Sequence, residues 1–192
     1  MKIIGGKFKG KNFFMPAGIR PTQNIIRKAV FDLLGNDMEG VEFLELFAGS
    51  GAVGFEAFSR GAKKVAIVER DFKCIKVIQQ NMAMFDPPAR PGGQGAVCEL
   101  IQCDAFVAIK QMASQKRKFD VIFLDPPYGE ELVKKALNLL AGYDILHPDC
   151  YIIIEFRKDE ILPGLKGRFS VIRERCYGST CLAVLQRESP QA

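Results

Sequence analysis

The chain from residue 41 onward is a series of short apolar runs, several closing on an acid, separated by stretches with helical spacing. Residues 41–47, 65–68, 97–102 and 119–124 are too short for buried helices and rich in β-branched and aromatic side chains, which predicts buried strands. Between them the spacing predicts a helical stretch from Phe55 to Arg60 and helices near 71–84, 104–115 and 130–142. Further strands are expected over 150–156, 168–176 and 180–187, the last two joined around Gly178 as an antiparallel hairpin. Ahead of all these, Thr22 reads as the N-cap of a helix running to about Leu34. Strands alternating with helices predict an α/β architecture.

Where the runs stop carries more information than the runs themselves. Val121 to Leu124 is followed by Asp125-Pro126-Pro127-Tyr128. Neither proline can donate to a sheet ladder, so the tetrapeptide is a stiff turn just beyond the carboxyl end of a strand. In an open α/β sheet that edge is where ligands bind. The turn also suits one chemistry. The lone pair of a nucleobase amino group is delocalised into the ring, and acceptors on its N–H groups localise it as a new bond forms. The Asp125 carboxylate and the Pro126 carbonyl are candidate acceptors, and Tyr128 is a candidate platform for the base. A polar turn over a core strand, with Tyr128 packed beneath it, is the plainer alternative.

The run at 41–47 leads into Gly49-Ser50-Gly51-Ala52-Val53-Gly54 and then the helical stretch. This is G-x-G-x-x-G in its strand–turn–helix setting: the glycines let a ligand approach the backbone, and the helix start is expected to offer free N–H groups. The strand at 65–68 ends at Glu69, twenty positions after Gly49, where an acid usually receives ribose hydroxyls. Strand 97–102 ends in Cys103-Asp104-Ala105, where Asp104 suits an adenine amino group, a helix N-cap, or both. These features predict a site for an adenosine-containing cofactor, NAD(P) or S-adenosylmethionine. The Asp-Pro-Pro-Tyr turn has no role in hydride transfer and a clear one in methylating an exocyclic amine, which favours S-adenosylmethionine.

Composition adds bounds. A chain of 192 residues with 48% hydrophobic and 26% charged residues suits one globular body with a large core. No apolar run approaches the roughly 18 residues of a membrane helix, and the first residues lack a signal-peptide core, so the cytoplasm is the expected location. Six cysteines include no Cys-x-x-Cys pair, and His147, the one histidine, stands beside Pro148 in an expected loop. The cysteines are expected to be reduced and mostly buried, with no metal site. Charge is uneven: residues 1–34 hold seven basic residues and one acid, or +6, whereas the whole chain is +5, leaving −1 for residues 35–192. Phe8, Phe13 and Phe14 interleave with the leader's lysines, among them Lys7, Lys9 and Lys11, and glycines break this leader into short strands. A basic, aromatic-bearing extension (1–34) before a near-neutral catalytic domain (35–192) reads as a nucleic-acid grip. The stretch 86–95, rich in proline and glycine, reads as an exposed loop.

Taken together, these residues resemble the bacterial enzymes that methylate the N2 amine of one guanine in 16S ribosomal RNA. The likeness spans nearly the whole chain: Ile4-Gly-Gly-Lys-Phe-Lys-Gly-Lys11, Arg20-Pro21-Thr22 with Arg27, Leu46-Phe-Ala-Gly-Ser-Gly51, Ser59-Arg-Gly-Ala62 and Asp125-Pro-Pro-Tyr128. It implies a Rossmann-like class I methyltransferase fold with a seven-stranded, mostly parallel sheet and a C-terminal antiparallel hairpin. It also implies S-adenosylmethionine as cofactor and 16S rRNA in the small ribosomal subunit, or its late precursor, as partner of a monomer. Carried over residue by residue, Glu45, Phe47, Gly49, Ser50, Gly51, Glu69, Arg70, Asp104, Ala105 and Asp125 would hold the cofactor. Asp125, Pro126, Pro127 and Tyr128 would hold the guanine, and Lys7, Lys9, Lys11, Arg20, Thr22 and Arg27 the RNA. Glu45 departs from the family's usual Asp. Methylation of adenine N6 or of a protein glutamine is the nearer alternative, and a silent RNA-binding assembly factor the more distant one.

Overall fold

A computed structural model describes residues 1–18, 24–85, 96–127, 130–162 and 168–188. Thr22, Arg20, Tyr128 and the 86–95 stretch lie outside them. In chain order the elements are α1 (Asn24–Leu34), β1 (Glu42–Leu46), α2 (Ala52–Ser59), β2 (Lys64–Glu69), α3 (Phe72–Phe85) and β3 (Val97–Gln102). There follow α4 (Ala105–Ser114), β4 (Phe119–Leu124), α5 (Glu130–Gly142), β5 (Leu146–Arg157), β6 (Phe169–Tyr177) and β7 (Thr180–Arg187). The strands form one seven-stranded sheet in the order β3-β2-β1-β4-β5-β7-β6. β1 to β5 are parallel, while β7 is antiparallel to both β5 and β6.

Helices cover the sheet on two faces because β1, β2 and β4 are buried on both. On one face α4 and α5 bury Ile109, Met112, Leu137 and Leu140 against Leu44, Val68, Ile122 and Ile154. On the other, α1, α2 and α3 bury Phe31, Phe55, Phe58 and Ile78 against Phe43, Val65, Ile67 and Phe123. The chain leaves β1 toward β2 on one side and returns to β4 on the other. The strand order therefore reverses at the β1–β4 seam, and a crevice opens at the carboxyl ends there.

Three expectations are corrected by this architecture. The leader's short strands reduce to one isolated bridge, Lys2–Asn12, supported by Ile3 N–H to Lys11 O at 2.9 Å and Phe13 N–H to Met1 O at 2.8 Å. His147 and Pro148 lie within β5, not in a loop. There β5 is irregular: Phe119 pairs Leu146 but Val121 pairs Tyr151, so the proline falls where the ladder is already broken. The cysteines are not all reduced, because Cys176 and Cys181 form a disulfide. Both are directly opposed across the β6–β7 hairpin, with Cα atoms 4.0 Å apart, and a two-residue turn brings such pairs face to face. Cys74 and Cys150 are buried thiols whose pKa burial pushes up to about 12.

The leader packs as part of the core. Ile3 and Phe13 are buried in the same cluster as Phe31, Phe55 and Phe58. Its backbone docks on the end of α2: Ile4 N–H donates to Glu56 Oε2 at 3.0 Å, Phe8 N–H to Ser59 Oγ at 3.0 Å, and Ser59 Oγ–H to Gly5 O at 2.6 Å. Gly6 has φ +71, and a Cβ there would lie 1.9 Å from the Ser59 carbonyl oxygen, so only glycine fits this contact. Two stretches quoted for the resemblance, the Ile4-Gly5-Gly6 leader and Ser59-Arg60, thus touch each other.

Candidate active site

β1 carries the chain to the crevice and the turn after it is left-handed in three places: Phe47 (φ 59), Gly49 (φ 56) and Gly51 (φ 72). Gly51 is the N-cap of α2 and has no side chain to cap it. Glu45 performs that task. Its carboxylate lies under the loop and accepts from Val53 N–H at 3.2 Å and Gly54 N–H at 2.9 Å. It is 2% exposed, and burial raises its pKa to about 8 against the two N–H bonds that lower it, with the charges of Asp125 and Glu69 adding to the rise. Glu45 is thus a support for the loop and does not line the crevice, which corrects its expected role as a cofactor contact. The helix start likewise does not offer those two N–H groups to a ligand.

β2 ends in Glu69, whose two oxygens are both engaged. Oε2 accepts from Gly49 N–H at 2.6 Å, and Oε1 accepts from Arg70 N–H at 2.7 Å and Asp71 N–H at 2.8 Å. These bonds tie the glycine turn of β1 to the end of β2, setting the carboxylate's position before any ligand arrives. β3 leads into Asp104, which takes the N-cap role expected of it. Oδ1 caps α4 by accepting from Phe106 N–H at 2.9 Å, and Oδ2 pairs with Arg70 Nη1 at 3.0 Å across the mouth of the crevice. β4 ends in Asp125, Pro126 and Pro127.

Around these strand ends lies a cleft of about 430 Å³. It is lined by Phe47, Gly49, Ser50, Glu69, Arg70, Asp104, Ala105, Asp125, Pro126 and Pro127 among the expected residues. Gly49 has a left-handed φ of 56, which favours glycine, and a Cβ on it would point into open space. Gly51 is not among the lining residues, since a Cβ there would face Phe55 at 3.0 Å. Sequence reading missed Phe106, Leu132, Asp71, Glu155 and Thr180, all of which line the cleft. Phe106 meets Phe47 edge-on at 5.7 Å, which closes the apolar side. Glu155 had a readable signal, because it ends the apolar run of β5 as Glu69 and Asp125 close theirs. Thr180 had none: it arrives at the cleft because the hairpin folds back.

Among the described residues the lining holds five carboxylates (Glu69, Asp71, Asp104, Asp125 and Glu155) against Arg70 alone on the basic side. Such a cleft attracts cations and repels phosphate.

The leader's basic residues divide. Lys7, Lys9 and Lys11 are exposed, with Lys7 Nζ over the rings of Phe8 and Phe58 at 4.7 and 4.4 Å and Lys11 Nζ over Phe8 at 4.9 Å. Arg27 is 0% exposed, which corrects its expected place in an RNA contact. Its guanidinium donates to Lys2 O at 2.7 Å and Asn24 Oδ1 at 2.9 Å and faces the buried Glu56 at 3.9 Å. Burial lowers its pKa, and Glu56 opposes the shift. It fastens α1 to the leader.

The family model described as "Conserved hypothetical protein 95" matches residues 1–186. The chain belongs to this family. The Bacillus subtilis protein YlbH is 33% identical over 189 residues, 97% of this chain and 99% of the relative. "Ribosomal RNA small subunit methyltransferase D" of Haemophilus influenzae is 33% identical over 180 residues, 93% of this chain and 89% of that one. Among solved structures, that of the Escherichia coli protein yhhF superimposes with a TM-score of 0.82 at 28% identity, covering 98% of both chains. The fold shared by this family is the Rossmann-like class I methyltransferase fold, with the antiparallel hairpin at its C-terminal end.

Proposed function

We propose that this protein is an S-adenosylmethionine-dependent methyltransferase acting on the N2 amine of a guanine in 16S rRNA, presented by the small ribosomal subunit or its late precursor. The acidic cleft beside the Asp125-Pro126-Pro127 turn carries this reading. A dinucleotide needs helix N–H groups for its pyrophosphate, and here Glu45 takes two of them while five carboxylates line the walls. A cofactor bearing a sulfonium and an ammonium group suits the same walls. The names of the small-subunit methyltransferase D relatives agree with an rRNA substrate.

S-adenosylmethionine, when bound, supplies an electrophilic methyl group. Gly49 and Ser50 would hold its methionine end, Glu69 its ribose and Asp104 its adenine. Asp125 and the Pro126 carbonyl accept from the guanine N2 hydrogens, which draws the lone pair out of the ring and aims it. Tyr128 stacks on the base, which is turned out of its helix to reach the site. One charge-assisted hydrogen bond from N2–H to Asp125 contributes roughly 1.5–3 kcal/mol, whereas orientation contributes about 7–11 kcal/mol. Asp125 therefore acts chiefly by aligning. The exposed Lys7, Lys9 and Lys11, with Arg20 and Thr22, contact the RNA backbone.

The test is methyl transfer from labelled S-adenosylmethionine to undermethylated small subunits, followed by nucleoside mass spectrometry. N2-methylguanosine is expected. Methyladenosine would overturn the base, and label in protein alone would overturn the RNA substrate.

A further inference from the structure

Glu155 lies next to Asp125 in the fold, though thirty residues away in the chain. β4 and β5 run parallel with Leu124 paired to Ile154, so the next residues, Asp125 just past the end of β4 and Glu155 still within β5, stand side by side. Such strands lie about 4.8 Å apart and present in-register side chains to the same face. Both residues line the cleft. On its other edge β5 is held by β7 through the pair Glu155–Leu182, so the sheet fixes Glu155 from that side. The remaining acids of the lining belong to the other end of the cleft. Glu69 receives three backbone N–H groups, Asp104 caps α4, and Asp71 accepts from Lys73 and Cys74 N–H.

Guanine carries three N–H hydrogens on its pairing edge, two on N2 and one on N1. Adenine carries two on N6, beside a lone pair at N1. Asp125 and the Pro126 carbonyl account for the two amine hydrogens in either base. They do not distinguish the bases. We infer that Glu155 accepts from N1–H of the target guanine and is the residue that selects guanine over adenine. This rests on the guanine-N2 reading above and gives that site its specificity. A carboxylate facing N1–H makes a charge-assisted bond, whereas facing the adenine N1 lone pair it sets acceptor against acceptor in a closed site.

2-Aminopurine separates the two cases, because it keeps the 2-amine but has a lone pair at N1. Small subunits are reassembled with 16S rRNA carrying guanine or 2-aminopurine at the nucleotide that the wild-type protein methylates. kcat/KM is then measured for the wild type and Glu155→Gln. The wild type is expected to prefer guanine by about tenfold to a hundredfold. Glu155→Gln can turn its amide N–H toward the N1 lone pair, so its preference should vanish or reverse, with S-adenosylhomocysteine affinity unchanged by calorimetry. 2-Aminopurine also lacks O6, and comparing variant with wild type on both bases removes that contribution. Equal loss on both bases, or an unchanged preference, would assign Glu155 a merely structural role and overturn the inference. Should the variant fail to fold, the wild type still decides: comparable rates on both bases, within about threefold, would mean no acceptor faces N1. Failure of the wild type to form N2-methylguanosine on the guanine substrate would instead sink the underlying reading, and the inference with it.

Discussion

A methyl group on Gly54 would lie 2.6 Å from Glu45 Oε2 and 2.9 Å from Ile67 Cγ1. The carboxylate that caps α2 and the glycine it caps are therefore a matched pair. The same contact holds the glycine loop in place. Gly54→Ala must push Glu45 off its two N–H groups or shift the loop, at a cost of about 1–3 kcal/mol. The expected outcome is a lower melting temperature together with weaker S-adenosylhomocysteine binding by calorimetry. A stable variant with intact cofactor affinity would show that the loop does not need this support.

Glu45 also gives a pH dependence with a definite sign. Its pKa is raised by burial from 4.5 to about 8. The folded state therefore holds this proton more tightly than the unfolded state, and the contribution to stability is full below about pH 4.5 and lost as pH rises through about 8. Replacing it with Gln, which stays neutral and can still accept at one oxygen, removes that loss. Denaturation curves of wild type and Glu45→Gln from pH 5 to 9 should show the difference moving in favour of Gln as pH rises. A pH-independent difference would mean that the carboxyl does not titrate in this range.

At the reacting end, Asp125→Asn keeps an oxygen that can accept from an N2 hydrogen, so partial activity is expected. Asp125→Ala should lose nearly all of it, without loss of cofactor binding beyond the contact removed. Equal and complete loss in both variants, measured with the labelled-methyl assay, would point to an obligatory carboxylate base.

Arg27 and the exposed lysines should separate cleanly. Arg27→Ala leaves Glu56 buried with Arg60 as its remaining ionic partner and is expected to cost about 3–5 kcal/mol in chemical denaturation. Replacing Lys7, Lys9 and Lys11 together with Ala should weaken RNA binding, flatten its salt dependence and leave cofactor affinity unchanged. A fall in cofactor affinity in the triple variant would make those lysines structural as well.

Much of the fold was legible because its signals are local. Apolar runs of strand length alternating with helical spacing predict every strand and helix of the α/β body to within a few residues. Strand ends can be read the same way: Glu69, Asp104 and Asp125 follow directly from apolar runs that end on acids, and parallel strands bring such ends to one edge of the sheet. The antiparallel hairpin was legible too, around Gly178.

What tertiary structure alone decided concerns which groups face each other. Arg27 reads as one more basic residue of a charged leader, yet the leader folds over α1 and α2 and seals it against Glu56. Glu45 reads as a ligand contact until Val53 and Gly54, eight and nine residues on, curl back over it. Cys176 and Cys181 are unremarkable until a two-residue turn opposes them. Glu155 and Thr180 reach the cleft by the register of β5 with its neighbours, which depends on how every strand between them pairs. Periodicity records whether a residue belongs to a strand or a helix and on which side it points. The identity of the partner on that side is set by long-range packing, and a one-dimensional pattern does not contain it.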